Sequence, residues 1–447
     1  MSISEAIKIT GKTLDKFPDV IEVFALVKKA YALTNANAKF GFLSEQQAHA
    51  IAAECDSLAQ NPESLKVELW QSDLTLLNTR FSRMVSEKIA VDVKKINLLQ
   101  SIQDISQTVE SIVIYRRLNQ LIDDVTYMQK ELTAKAYEFK DEIRLMRTHL
   151  MESAVGTWGQ TFGALALSVN RARERLSTHR SLYREVLLGH SLFGVSIASS
   201  NDYTRELLKT LSKEVGIDLQ EPASVHEVVP KSALMDELMG NEKFIYLASD
   251  LKALAMINAR IGHGFFIYGS GPRAGITEVT LPAIAPGSTI MPGKINPSMA
   301  HLMFQIAEFV SVNDQMSTYA VNELDFDLTH QMGGAFITMI EMLETLGKGC
   351  RLFTDKCLKG FGVKSENNAD HVINSPSLVN LVCAFKGQSA ADKVKARMLS
   401  DGLSCKEACI KEGVFSEKEV ACLFDLKTMA QEGINPQKLS YFMGLKE

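Results

Sequence analysis

The sequence predicts an all-α fold, on three observations. Only 11 prolines and 27 glycines interrupt 447 residues, which leaves room for long regular elements. Apolar residues recur at helical spacing in several long segments, and strand-like alternation is rare outside short pieces such as residues 278–281. Apolar residues make up 46% of the chain and charged residues 23%, which is ordinary for a chain with a sizeable core and argues against disorder.

The first two helices are signalled near the N-terminus. Residues 19–34 carry an apolar stripe at spacings of three and four residues, which predicts an amphipathic helix. The stripe consists of Val20, Val23, Phe24, Val27 and Ala30. Ser44 followed three positions later by Gln47 matches a capping box and predicts that a second helix, over residues 44–60, begins there.

The longest helical signal covers residues 91–147, which contain no proline and no glycine. One continuous helix, or two helices with a short break, is the prediction for this stretch. Further helices are predicted over residues 156–188, 232–267, 297–321 and 331–348. Helices of this length favour an extended bundle. A composition change near residues 358–375 suggests a boundary before a smaller C-terminal helical domain.

Charge, hydropathy and cysteine usage exclude several classes of protein. The net charge of −5, from 48 basic and 53 acidic residues, disfavours a general nucleic-acid binder. No run approaches 18 uninterrupted apolar residues, and the start lacks a signal-peptide pattern, so we expect no membrane span and a cytoplasmic protein. Seven cysteines without a CxxC pair argue for free thiols rather than a disulfide framework.

Residues 269–297 concentrate five glycines and five prolines between long helices, and loops of this length are usually functional or disordered. Within it, Gly287-Ser288-Thr289 can form a nest of backbone N–H groups that binds an anion. Lys294 adds a positive charge and Asn296 an amide donor, so the loop resembles a receptor for a carboxylate or phosphate. Neither the P-loop nor the dinucleotide-binding spacing is present. The alternative is a mobile surface loop with incidental polarity.

A second group of polar residues, Arg147-Thr148-His149-Leu150, lies just past the end of the long helical signal. A lone histidine is more often structural than catalytic. Beside a threonine and an arginine, at the mouth of a helix bundle, His149 is a candidate for binding a carboxylate or assisting a proton transfer.

Both groups resemble one family. The loop fills every fixed position of the fumarase/aspartase superfamily signature, Gly-Ser-Ser/Thr-x-Met-Pro-x-Lys-x-Asn-Pro. Arg147-Thr148-His149-Leu150 with Gly159-Gln160 resembles the second block of that family, and Gly271-Pro272-Arg273 resembles the aspartase and class II fumarase branch. Phe17-Pro18 and Trp70-Gln71 are also similar to aspartase, so the likeness runs along most of the chain. We call residues 285–297 the signature loop.

The resemblance implies an all-α subunit of three domains. These are an N-terminal helical domain over residues 1–100, a central long-helix bundle over 101–357 and a small C-terminal helical domain over 358–447. It also implies a homotetramer whose active sites are shared between subunits. The implied reaction is an anti elimination from a small dicarboxylate, a succinyl compound, that usually releases fumarate. No metal or organic cofactor is expected.

The resemblance also assigns roles. Ser288 would be the catalytic base, acting as an oxyanion when the loop closes, and Thr289 would hold the carboxylate that becomes the aci form. Lys294, Asn296 and Thr148 would hold the other carboxylate. His149 would assist at the leaving group or its adjacent carboxylate. Ser101 and Gln103, in the position of the Ser-Ser/Thr-Asn-Asp block, would complete the substrate site.

The chain departs from the family on the leaving-group side. The glycine-rich block is represented only by residues 72–78, without glycine, and Gly-Thr-Gly-x-Asn has become residues 194–198 without the expected pattern. In the block 101–104, Ile102 replaces a hydroxyl and Gln103 replaces an asparagine. Recognition of an amine depends on polar groups of the site that pair with it. Because these changes remove such groups, they should weaken recognition of an amine.

Three hypotheses remain open. The first is a fumarate-forming lyase, with an aspartase-like carbon–nitrogen lyase favoured, whose leaving group is not plain ammonia or water or is bound in an altered way. The second is an ordinary aspartase, or a fumarase-like carbon–oxygen lyase, with compensating substitutions. The third is a catalytically silent homologue kept for binding or for helical assembly.

Overall fold

A computed structural model describes residues 16–65, 74–190, 199–224, 226, 228–321, 327, 333–433 and 436–442. Long α-helices dominate these residues, which confirms the predicted all-α class. The resemblances at Trp70-Gln71 and at residues 194–198 lie outside the described residues, and so does the start of the block at 72–78. The chain divides into two compact units, each assembled from three stretches of sequence. The division into three domains stays a prediction.

The first unit lies within residues 1–124, 172–256 and 306–348. Its helices, in full or in part, are α1 (Pro18–Asn35), α2 (Glu45–Gln60), α3 (Leu74–Ile89), α4 (Val93–Ile96), α5 (Ile102–Glu138), α6 (Trp158–Thr178), α7 (Asn201–Val215), α8 (Ser232–Met239), α9 (Glu242–Tyr268), α10 (Ser298–Val321) and α11 (Gly333–Phe353). The long helices α5, α6, α9, α10 and α11 each have residues in both units.

The N-terminal helices form as predicted. The whole apolar stripe of α1 is inaccessible to solvent, and α1 packs against α2 and α7. Ser44 begins α2 with both hydrogen bonds of the capping box, since its hydroxyl accepts from the Gln47 amide and the Gln47 side chain accepts from the Ser44 amide.

The second unit lies within residues 125–171, 257–305 and 349–447. Its strands are β1 (Ile143–Thr148), β2 (Met151–Thr157), β3 (Val279–Thr280) and β4 (Gly362–Val363), and its C-terminal helices are α12 (Ser365–Asn374), α13 (Val379–Lys386), α14 (Gln388–Asp401), α15 (Cys405–Lys411), α16 (Glu417–Leu423), α17 (Leu426–Glu432) and α18 (Pro436–Phe442). β1 pairs antiparallel with β2, and β3 with β4. Leu145 of β1 lies in the same apolar core as Val382, Cys405 and Phe415 of the C-terminal segment.

Over residues 91–147 the structure has two helices with a short break, which is one of the two predicted forms, but the helical prediction is wrong at the C-terminal end. The chain breaks between α4 and α5, where Leu99 has a φ of 59°, and after α5 it forms the β1–β2 hairpin. The hairpin turns at His149 and Leu150, whose φ angles of 51° and 63° are unusual without glycine or asparagine. Because this stretch contains no helix-breaking residue, the spacing of its apolar residues could not reveal the turn.

Two other predicted helices are shorter than expected. The segment 232–267 breaks at Gly240-Asn241 into α8 and α9, and the segment 156–188 ends its helix at Thr178. The helix predicted after the signature loop is confirmed, since α10 begins at Ser298, directly after Pro297. Within the described residues, no helix is both long and apolar enough to cross a membrane.

Candidate active site

The signature loop is closed at its base by backbone and side-chain bonds. Pro286 and Ile295 form an antiparallel bridge, and the Gly287 amide donates to the Lys294 carbonyl oxygen at 3.0 Å. The side-chain amide of Asn296 donates to the Gly287 carbonyl oxygen at 2.9 Å. A Cβ on Gly287 would lie 2.5 Å from the Lys294 carbonyl oxygen, so this close approach requires glycine.

Ser288 follows the closed base and is half-buried. Its Oγ accepts a hydrogen bond of 3.2 Å from the backbone amide of Ile290. A donor aimed at a hydroxyl oxygen favours the charged form of that group, because the hydrogen bond is stronger to an oxyanion. The backbone amide of Ile290 is therefore a donor that would stabilise an oxyanion at Ser288.

Thr289 and Lys294 lie on the exposed part of the same loop. Within the described part of the chain, the Lys294 ammonium forms no ion pair, so its charge is available to an incoming anion. Asn296 is half-buried and already uses its amide in closing the loop. The residues from Gly287 to Asn296 are thus brought together by contacts of the loop itself.

Thr148 and His149 lie at the tip of the β1–β2 hairpin, whereas the sequence predicted a position just past the end of a long helix. Thr148 pairs with Met151 across a two-residue turn. The side chains of Thr148 and His149 are exposed, as are those of Leu150 and Met151, which are 61% and 70% accessible. Within the described ranges of this unit, no hydrogen bond or ion pair joins the hairpin tip to the signature loop.

Ser101 and Gln103 lie at the start of α5, in the first unit. The Ser101 Oγ accepts from the Gln103 backbone amide at 3.2 Å, and the Ser101 carbonyl accepts from Ile105. This is the geometry of a helix N-cap, which is an ordinary structural role for serine. Their assignment to a substrate site stays a prediction.

A buried ionic group next to the tip of the hairpin was not indicated by the sequence. Arg147 Nη1 lies 2.6 Å from Glu278 Oε1, and His371 Nδ1 lies 3.1 Å from the same oxygen. Glu278 is fully buried. Arg144 stacks between the rings of Trp158 and Tyr268, at 4.0 and 4.3 Å, and its burial lowers its pKa. The partners are too far apart in sequence for any local pattern to join them.

Within the described residues, no group of three or more histidine, cysteine, aspartate or glutamate side chains could hold a metal ion. All seven cysteines are free thiols.

The chain is similar in sequence to a known protein family and to known enzymes. A family model described as "Lyase" matches residues 2–311. The chain is 28% identical to an aspartate ammonia-lyase of a Bacillus species, covering 97% of this chain and 94% of that protein, and 27% identical to the class II fumarate hydratase of Halalkalibacterium halodurans, covering 95% and 92%.

Solved structures share the fold. A fumarate lyase:delta crystallin from Brucella melitensis superposes with a TM-score of 0.86 at 24% identity, covering 96% of this chain and 95% of that one. A class II fumarase from Schistosoma mansoni gives 0.85 at 20% identity, with the same coverage. The family match over more than half of the chain, together with relatives aligned along nearly its whole length, shows that this chain is a divergent lyase of the fumarase/aspartase superfamily.

Proposed function

We propose that the chain catalyses an anti elimination from a succinyl-type dicarboxylate to give fumarate, with Ser288 as the base and an amine as the leaving group. One observation carries the proposal. The signature loop is complete in sequence, and its base is closed around a half-buried Ser288 whose Oγ faces the Ile290 amide. The relatives named aspartate ammonia-lyase support a carbon–nitrogen substrate, and those named fumarate hydratase support the carbon–oxygen alternative.

The reaction balances without an added reductant or oxidant. The Ser288 oxyanion takes a proton from the carbon beside one carboxylate, and the electron pair of that C–H bond moves into the carboxylate. The resulting aci-carboxylate then returns its electron pair to form the C=C bond. At the same time the C–N bond breaks, and the amine leaves with the electron pair of that bond. Preorganised donors, among them Thr289, would stabilise the extra negative charge.

The remaining residues would bind the substrate. The uncompensated charge of Lys294 suits the second carboxylate, and Asn296 and Thr148 would add donors. His149, exposed at the hairpin tip, would assist at the leaving group. On the side assigned to Ser101 and Gln103, the apolar Ile102 favours an amine that is substituted or bound in an altered way.

Turnover of purified protein tests the base. The C=C bond of fumarate absorbs in the ultraviolet, so aspartate, malate and N-substituted aspartates can each be offered and followed spectroscopically. Ser288→Ala should lower the rate by roughly 10²–10⁴-fold, because proton abstraction loses its general base. Ser400→Ala, which removes an exposed hydroxyl of α14, is the matched control and should leave the rate unchanged. An equal rate for Ser288→Ala and wild type would reject Ser288 as the base.

The reverse reaction identifies the leaving group. Fumarate is incubated with ammonia or with one of a panel of primary amines, and the products are identified by mass spectrometry. An amine adduct supports the carbon–nitrogen lyase, and malate formed from water supports the fumarase-like alternative. No product with any nucleophile in either direction would support the silent assembly homologue instead.

The elimination as written uses no metal, and this too can be measured. Activity should survive dialysis against a strong chelator. A loss that added metal ions restore would contradict the mechanism.

We further propose that the active form is a homotetramer that binds a small dicarboxylate in sites shared between subunits. The support is an apolar stripe on α10 within the first unit, formed by Phe309, Val312, Met316 and Tyr319 at spacings of three and four residues. Val312 and Tyr319 are 71% and 68% accessible in the single chain. An exposed apolar face of this kind marks a protein interface, and the exposed Thr148 and His149 fit a site that another subunit completes.

Sedimentation velocity tests the assembly. Wild type should sediment as four 49.4 kDa chains, and Val312→Glu should shift the protein to smaller species with loss of turnover. Lys209→Glu, at an exposed position of α7, is the control and should stay tetrameric. A monomeric wild type with full activity would contradict the shared site.

A further inference from the structure

The β1 strand places two arginines on the same side of the hairpin. Residues three apart on a regular strand face opposite sides, because side chains alternate. The pairing of β1 with β2 shifts between Met146 and Arg147, and such an irregularity re-aims the side chains beyond it. As a result Arg144 and Arg147 both reach the ring of Tyr268, with guanidinium carbons 4.3 and 5.7 Å from its centroid.

Arg147 is then held by a buried carboxylate. Its side chain is 8% exposed and that of Glu278 is fully buried, so the 2.6 Å ion pair is shielded from water. The same guanidinium nitrogen, Nη1, donates to the Leu145 carbonyl oxygen at 3.1 Å. His371 of α12 approaches the same Glu278 oxygen, which makes Glu278 the link between β1 and α12.

Glu278 is itself fixed by its backbone. Its amide donates to the Tyr268 carbonyl at 3.0 Å, and its carbonyl accepts from the Lys364 amide at 2.9 Å and from the Asn368 side chain at 2.7 Å. The Asn368 side-chain oxygen in turn accepts from the indole of Trp158 at 2.9 Å. The carboxylate that pairs with Arg147 therefore belongs to a segment that is hydrogen-bonded to the end of α9 and to α12.

The hairpin tip follows immediately after this anchor. Thr148 is the next residue after Arg147, and the turn at His149 and Leu150 holds two non-glycine residues at positive φ. Such a turn persists only where its surroundings determine it. The side chains of Thr148 and His149 are exposed and make no hydrogen bond or ion pair with any described residue, so the anchor at Arg147 is the nearest buried group that can fix their position.

We propose that Glu278, with Arg147 and His371, is a positioning group that sets the place of the hairpin tip carrying Thr148 and His149. The consequence for catalysis rests on the proposed function, whereas the consequence for the hairpin does not. Glu278 contacts no substrate in this role and acts through Arg147. Removing one partner of a buried ion pair strongly destabilises the folded state, because the other partner is left as an uncompensated charge.

The first test is hydrogen exchange, which requires no turnover. Glu278→Gln keeps the shape of the side chain and removes its charge, and the backbone amides of residues 147–152 should then exchange at least tenfold faster than in wild type. Glu366→Gln, which removes an exposed carboxylate from the first turn of α12, is the matched control and should exchange like wild type. Equal exchange in Glu278→Gln and wild type would overturn the proposal.

The second test separates positioning from stability. Glu278→Gln should lower kcat/KM at least tenfold, and the double variant Arg147→Met with Glu278→Leu should regain thermal stability, because an apolar pair often replaces a buried ion pair without loss. Positioning by charge predicts that the double variant stays impaired in kcat/KM. Recovery of both stability and kcat/KM would overturn the proposal. If wild type forms no fumarate, the proposed function fails, and hydrogen exchange alone decides the role of Glu278 at the hairpin.

Discussion

The side-chain amide of Asn296 donates a 2.9 Å hydrogen bond to the carbonyl oxygen of Gly287, nine positions earlier in the chain. Together with the Gly287–Lys294 backbone bond, this contact fixes the two ends of the segment that carries Ser288. The resemblance assigns Asn296 to a substrate carboxylate, and the structure adds a second role in holding the loop closed. Loop geometry and the position of the proposed base are therefore coupled.

Gly287→Ala should disrupt that coupling. The added Cβ would lie 2.5 Å from the Lys294 carbonyl oxygen and 3.0 Å from Asn296, so the base of the loop must open. A displacement of about 1 Å at a catalytic group can cost roughly 100-fold in rate, and we expect a loss of that order in kcat/KM. Gly264→Ala, in α9 with open space at its Cβ, is the control and should keep full activity. Steady-state kinetics that do not distinguish the two variants would contradict the role of Gly287.

Lys294→Gln tests the charge offered to the substrate. Loss of a charge-assisted hydrogen bond costs about 1.5–3 kcal/mol, so KM for a dicarboxylate should rise roughly 10–100-fold. Lys294→Arg keeps the charge and should recover part of the affinity. The measurement is KM at low and high salt, because an exposed charge is screened. A KM for Lys294→Gln equal to that of wild type would remove Lys294 from the binding site.

Two substitutions of Ser101 distinguish its role as a helix cap from its proposed role in substrate binding. Ser101→Ala removes the acceptor of the Gln103 amide and should lower the free energy of unfolding by about 1 kcal/mol, whereas Ser101→Asn retains a capping oxygen and should not. If Ser101 also binds substrate, both variants lose activity. Chemical denaturation and kinetics on the same preparations check this. Loss of activity in Ser101→Ala alone would indicate that the cap is the whole role.

The sequence predicts the helical class and the signature loop because both are local patterns. The α1 stripe repeats at helical spacing, and the loop motif is contiguous. The β1–β2 hairpin escapes prediction because its turn, at His149 and Leu150, lacks the glycine or asparagine that usually marks positive φ. The Arg147–Glu278 contact escapes it because a buried ion pair depends on tertiary packing and has no local period.

Lys28 of α1 is buried among neutral partners close to the candidate substrate block. Its Nζ donates to Asn97 Oδ1 at 2.8 Å and to the side-chain oxygen of Gln100, the residue before Ser101. Burial lowers the pKa of Lys28 from 10.5 to about 7, and Cys55 opposes this in part. Between those pH values the folded chain therefore holds the amine neutral, while the unfolded chain keeps it protonated.

The stability of the first unit should consequently depend on pH through Lys28. Because the unfolded chain binds more protons between pH 7 and 10.5, the free energy of unfolding should rise with pH there, by about 1.4 kcal/mol per pH unit from this group. Below about pH 7 both states are protonated and the slope from Lys28 vanishes. Cys55, whose pKa burial raises from 9.0 to about 12, acts in the opposite direction above pH 9, so the useful window is pH 7–9. In denaturant titrations Lys28→Met should remove this slope, and a slope equal to that of wild type would show that the Lys28 amine stays charged in the folded chain.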